Sequence, residues 1–193
     1  MAPTIQAATA VLAELDGKEY DLLEKGYELV DGNWEAKDMG SSRHSGVGTR
    51  LIIEMGMHVK LNRLGGVYGP DATFQIGNNE RLPDVSFISA ARMPAGGETD
   101  KKWLVAPDLA VEIVSPSESW EKVNRKIHDY FAAGVQQVWL VSLEFNEIHI
   151  YDSPKGMIVL GEDDQLTSEK LLPGFRCLIR ELFQSPAGQV ADN

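Results

Sequence analysis

The sequence predicts an α/β domain, of the α+β kind, in which helices flank a mixed central sheet behind an N-terminal hairpin and arm. Three observations predict it. The order of patterned segments is helix, strands, helix, strands. DLAVEIVS carries apolar residues on both faces, the mark of a strand covered on two sides. Two further stretches repeat apolar residues at helical spacing. A chain of 193 residues suits one such domain with arms.

In order, residues 1–19 read as an arm, 20–184 as the domain and 185–193 as a tail. YELV and WEA flank the turn Asp31-Gly32 and read as a short hairpin. Ser41-Ser42 offers an N-cap to a helix over about 43–63, where Val47, Leu51, Ile52, Met55 and Val59 form a stripe. Gly65-Gly66 ends it. VYG, ATFQI and VSFIS read as strands, and MPAGGETDKKW as a polar loop. After the strand DLAVEIVS, Pro116 is a breaker and Ser117 a cap for a helix over about 118–133. Its core side is Val123, Ile127, Tyr130 and Phe131, and Gly134 stops it. VWLVS, EIHIY and MIVLG are further strands, the last two paired around SPKG. LLPGF and a short helix, CLIRELF, close the domain.

Composition excludes several classes. With 43% apolar and 24% charged residues the chain is of ordinary globular type, and no run approaches the ~20 apolar residues of a membrane span. The N-terminus lacks a basic n-region and carries acids, so a cytoplasmic setting is expected. Cys177 stands alone and, within FRCLI, reads as a small buried hydrophobe. A net charge of −11 opposes non-specific adhesion to nucleic acid. Such a partner requires the 18 Lys and Arg to gather on one face. Arg43, Arg50, Lys60 and Arg63 form one group and Lys122, Arg125 and Lys126 another, although solvated helix flanks read the same way. G-x-G-x-x-G, P-loop and serine-elbow motifs are absent, which removes the usual support for nucleotide-cofactor and acyl-transfer chemistry.

The acids carry a sharper signal. Two Pro-Asp pairs occur, Pro83-Asp84 and Pro107-Asp108, and the second opens a strand reading Asp108-x-x-x-Glu112. Metal-assisted phosphodiester hydrolysis needs carboxylates converging on one hard cation, with a positive group nearby. Asp108 and Glu112 share a strand face, but four residues at about 3.3 Å each separate them by ~13 Å. One ion with bonds of ~2.1 Å cannot comfortably take both. Asp84 reaches Glu112 if their strands are neighbours, about 4.8 Å apart. Within LAV-IV an unpaired carboxylate is costly to bury, so Glu112 either meets a metal or cation or lies at an open edge.

RLPDVSFIS, PDLAVEIVSPS, KIHDYFAAGV, VWLVS and IHIYD, with YELVDG upstream, resemble the Uma-type restriction endonucleases of the PD-(D/E)XK nuclease superfamily. The resemblance spans roughly residues 20–182 and is most specific over 107–142. It implies a restriction-endonuclease-like core and a metal-dependent endonuclease, acting on DNA through a water activated by Mg²⁺ or Mn²⁺. On this resemblance Asp84 and Glu112 are the acidic metal ligands, and the Ile113 backbone carbonyl supplies a further one. The superfamily lysine expected two residues after the acid is Val114 here, and the family takes it from the next helix, where KIHDY carries Lys126. Lys126 lies ~60° from Val123 on the helical wheel, so its stem can run along the packed face. Lys122, one turn earlier, is the reserve. Glu28 matches a recurrent family residue and either approaches the site or forms a surface ion pair. His44 also matches, as a phosphate contact or as a packed or exposed helix residue. A homodimer follows by superfamily analogy.

The other candidates read as structure. His44 and His58 lie ~21 Å apart along one helix, and His128 and His149 lack ligand spacing. Trp103, Trp120 and Trp139 read as core or rim aromatics. Val114 and the net charge favour a competing class, a catalytically silent nuclease-fold binding or assembly module. A metal-dependent phosphatase on small substrates is a third reading.

Overall fold

Asp31 and Gly32 take φ of 49° and 79°, the left-handed pair that a tight hairpin turn requires, and join β1 (Tyr27–Val30) to β2 (Asn33–Ala36). The computed structural model describes residues 22, 26–37, 40–98, 100–115 and 118–185. The expected arm, the Pro116-Ser117 break and cap, and nearly all of the tail lie outside these residues. The hairpin does not stand alone. β4 (Phe74–Ile76) and β5 (Asn79–Arg81) extend it into a four-stranded sheet ordered β2-β1-β5-β4.

Helix α1 (Ser42–Asn62) starts where Ser41 accepts the His44 N–H, and it buries Val47, Leu51, Met55 and Val59. It ends within a residue of the expected place, but the residue that ends it is a different one. Arg63, at φ 55°, takes the left-handed position, and the Leu64 N–H returns to the Val59 carbonyl at 3.0 Å. Gly65 and Gly66 instead open β3 (Gly65–Tyr68). A Cβ on Gly65 would lie 2.0 Å from the Ile88 carbonyl oxygen, so glycine serves close strand approach rather than helix termination.

The central sheet has the order β10-β9-β8-β7-β6-β3, with β6 (Val85–Ser89), β7 (Leu109–Val114), β8 (Gln137–Ser142), β9 (Glu147–Ser153) and β10 (Gly156–Leu160). β7 and β8 run parallel, joined through α2 (Trp120–Ala132), and the other pairs are antiparallel. This is the mixed sheet flanked by helices that the patterning predicts. Val111 and Ile113 of β7 pack with the α1 stripe, while Ala110 packs with Val123, Ile127 and Tyr130 of α2. Burial on both faces explains the continuous apolar run.

Other boundaries are corrected. α2 starts at Trp120 with Ser119 as its cap, because the Ser119 hydroxyl accepts the Lys122 N–H. Within CLIRELF, Cys177 and Leu178 finish β12 (Leu172–Leu178), which pairs with an unexpected β11 (Gln165–Ser168), and α3 covers Ile179–Phe183. Burial pushes the Cys177 thiol up to about 12, as suits an inert core residue. Trp103 and Trp139 are core residues, whereas Trp120 is exposed. No helix among the described residues is long and apolar enough to cross a membrane.

Candidate active site

Antiparallel pairing of β6 with β7 places Val85 opposite Val111. Asp84 directly precedes β6, and its N–H donates to the Val111 carbonyl at 3.0 Å, beside Glu112. Within β7, side-chain alternation puts Glu112 in phase with Ala110. Ala110 lies in the cluster beneath α2, and Asp84 is close enough for its charge to act on Glu112 in a cleft that both acids line. Both are buried, at 4% exposure each. Two adjacent buried carboxylates demand compensating charge.

The neighbours supply it. Asp84 Oδ1 accepts from Lys37 Nζ at 2.7 Å, and Oδ2 accepts from the Ile113 N–H at 2.7 Å. His44 Nε2 lies 3.2 Å from the same Oδ2. Glu112 Oε1 accepts from the Tyr130 hydroxyl at 2.5 Å, and Oε2 accepts from Lys126 Nζ at 3.1 Å. Lys126 also reaches Glu118 Oε1 at 3.2 Å.

These contacts set the charge states. Burial works to raise the Asp84 carboxyl, but the His44 bond and the Lys37 ammonium win and lower it to about 2. Its bond to Asp84 raises the His44 imidazole above 6.5 against the cost of burial, with a backbone bond to the Ile113 carbonyl adding to the rise. Burial raises the Glu112 carboxyl, aided by the charges of Asp84 and Glu28 and opposed by Lys126 and Lys37. Burial alone would lower the Lys126 ammonium, but Glu112, Glu28 and Glu118 hold it well above its ordinary value. Burial, with Glu112 beside it, raises the Tyr130 phenol.

A cleft of 190 Å³ opens over these groups. Asp84, Glu112, Ile113, Lys126, Lys122, His44 and Glu28 all line it. Glu28 thus approaches the site from the hairpin, and its ion pair is buried rather than on the surface. Its oxygens accept from Arg81 Nη1 at 3.1 Å and the Leu82 N–H at 2.9 Å, a buried clamp on the segment leading to Asp84. Asp108 sits at the far end of β7, fully buried, and accepts from the Ser89 N–H at 2.7 Å, from Arg92 at 3.2 Å and from Gln136. It is a structural acid.

Among the described residues no group of three or more His, Cys, Asp and Glu is poised to hold a metal. Two hard carboxylates, each clasping an ammonium, nevertheless mark a place built for positive charge. A Mg²⁺-type ion takes one or two protein carboxylates and keeps several waters, which is the donor set that Asp84 and Glu112 offer.

A family model described as "Uma2: Putative restriction endonuclease" matches residues 18–180. The chain belongs to this family. A crystal structure described as a putative nuclease belonging to DUF820 from Anabaena variabilis is similar, with a TM-score of 0.74 and 24% identity over 83% of this chain and 90% of that one. That likeness shows a shared fold. No curated protein matches the chain.

In this Uma2 chain the sequence reading overlooked Lys37, Arg81 and Glu118, and placed Tyr130 simply in the core. Lys37 follows the hairpin directly, yet only the docking of that hairpin on β5 brings it to Asp84. Tyr130 does lie on the buried stripe of α2, and its hydroxyl is the feature that apolar periodicity cannot register.

Proposed function

We propose that the chain is a divalent-metal-dependent endonuclease that hydrolyses phosphodiester bonds in DNA, two copies acting together on the two strands. The observation that carries this reading is that buried Asp84 and Glu112 line one cleft with Lys126, Asp84 being bonded through its N–H and Oδ2 to the Val111 carbonyl and the Ile113 N–H, the residues on either side of Glu112. Asp84 and Glu112 would hold Mg²⁺ or Mn²⁺, with the Ile113 carbonyl beside them. When bound, such an ion activates water and offsets charge on the phosphate. Lys126 orients the attacking water or meets negative charge as it develops. Tyr130 fixes Glu112 Oε1 and leaves Oε2 toward the lysine and the cleft. Glu28 and Arg81 hold Leu82, and through it the approach to Asp84.

Calorimetric titration with Mn²⁺, beside cleavage of a supercoiled plasmid, tests the proposal. Asp84→Ala and Glu112→Gln are expected to remain folded while losing metal uptake and cleavage. Undiminished uptake by Glu112→Gln would end the assignment. One observation favours the second reading, a catalytically silent binding module: Lys37 and Lys126 already satisfy both carboxylates, and Val114 occupies the superfamily's lysine position. Metal uptake without cleavage of DNA or RNA would put that reading ahead.

A further inference from the structure

We propose that Lys37 is a built-in counter-ion of this site, which a divalent cation displaces from Asp84 and which then meets a substrate phosphate. The inference rests on the metal-site reading above and assigns a role to a residue outside the two strands that carry the acids. Lys37 follows β2, and its backbone N–H is tied to the Gly26 carbonyl at 2.8 Å. Its ammonium donates to Asp84 Oδ1 at 2.7 Å and to the Leu82 carbonyl at 2.5 Å. The side chain is only 17% exposed, so the contact is shielded from bulk water. The same ammonium favours the charged form of Glu112, and thus serves both acids as a shared cation would.

A dication on Asp84 and an ammonium on the same oxygen repel each other strongly in so buried a place. Lys126 has an anionic second partner in Glu118, whereas the second partner of Lys37 is the neutral Leu82 carbonyl. Lys37 is therefore the cation that yields. Once moved, it can keep the carbonyl and turn its remaining N–H groups toward a phosphate oxygen at the mouth of the cleft.

Lys37→Met keeps the apolar stem and removes the charge, while Lys37→Arg keeps the charge. Mn²⁺ titration of both variants, the wild type and Asp84→Ala reads the displacement without reference to activity, and thermal melts confirm folding. Lys37→Met is expected to bind Mn²⁺ about tenfold more tightly than the wild type and Lys37→Arg, a change of the size seen when partners of ligand residues are altered. In Ca²⁺ it is expected to bind a short DNA duplex several-fold more weakly. Metal uptake by Lys37→Met where the wild type shows none would support the same conclusion. Equal or weaker Mn²⁺ binding by Lys37→Met overturns the role of Lys37 and leaves the metal site standing if Asp84→Ala abolishes uptake. Absence of uptake by every folded protein in the set overturns both.

Discussion

Asp108 directly precedes β7 and Glu112 lies within it, and their partners give them different surroundings. Asp108 is enclosed by the Ser89 N–H, Arg92 and Gln136, whereas Glu112 has a tyrosine and a lysine at an open cleft. Asp108→Asn should therefore cost about 1–3 kcal/mol in denaturant unfolding and leave Mn²⁺ uptake unchanged. The pH dependence has a definite sign. Burial tends to raise the Asp108 carboxyl, but the Ser89 and Arg92 bonds lower it below 3.8. Its contribution is present above that pH and is lost as pH falls through the lower folded value, so the gap between wild type and variant should close in acid. A gap unchanged from pH 6 to pH 2 would contradict this account. Strand spacing was enough to prefer Asp84 over Asp108 from the sequence, because a distance along one strand is fixed by covalent geometry. Lys37 was not legible, because its place depends on how one sheet docks against another.

The elements that were legible are those whose burial imposes a period. α1 and α2 pack apolar stripes against the central sheet, β7 is buried within it on both faces, and these patterns survive in the sequence. β5 is the counter-example: Asn79, Glu80 and Arg81 are all buried, yet all are polar. Asn79 is bonded to the Asp31 N–H and Asp129, Glu80 to Lys102, and Arg81 to Glu28 and Asp129. A strand held by partnered polar groups leaves no apolar alternation to read. Its loss from the reading hid the four-stranded sheet, and with it the route of Lys37 to the site. The end of α1 was located to within a residue but credited to Gly65-Gly66, because glycine there has a second use. Gly65→Ala should cost at least about 2 kcal/mol, since a Cβ at φ 148° would meet the Ile88 carbonyl. Chemical denaturation checks this, and a loss within error of zero would mean that β3 and β6 can separate without penalty.

Across the whole molecule, a net charge of −11 leaves little general attraction for a polyanion, so any attraction must be local. The two cationic groups seen in the sequence separate in the fold. Arg43 bonds Asn146, and Arg50 is held by the Leu182 carbonyl, whereas Lys122, Arg125 and Lys126 line the cleft. Lys126 is committed to Glu112 and Glu118 inside. Lys122 is exposed at the cleft, and Arg125 keeps 53% of its side chain exposed with a loose contact to Asp31 at 3.6 Å. If the proposed function holds, these two residues are the pair placed to meet a nucleic-acid backbone outside the cluster of acids. A Lys122→Ala/Arg125→Ala variant should retain Mn²⁺ uptake but bind duplex DNA more weakly, by a similar factor for every sequence tried. If each cation neutralises one phosphate, the slope of log affinity against log salt should become shallower by about 2, at roughly 0.9 per phosphate contact. Fluorescence anisotropy over a salt series in Ca²⁺ measures that slope. An unchanged slope would place the path of the nucleic acid elsewhere on the surface, while a loss confined to one sequence would make these residues readers of bases rather than of backbone.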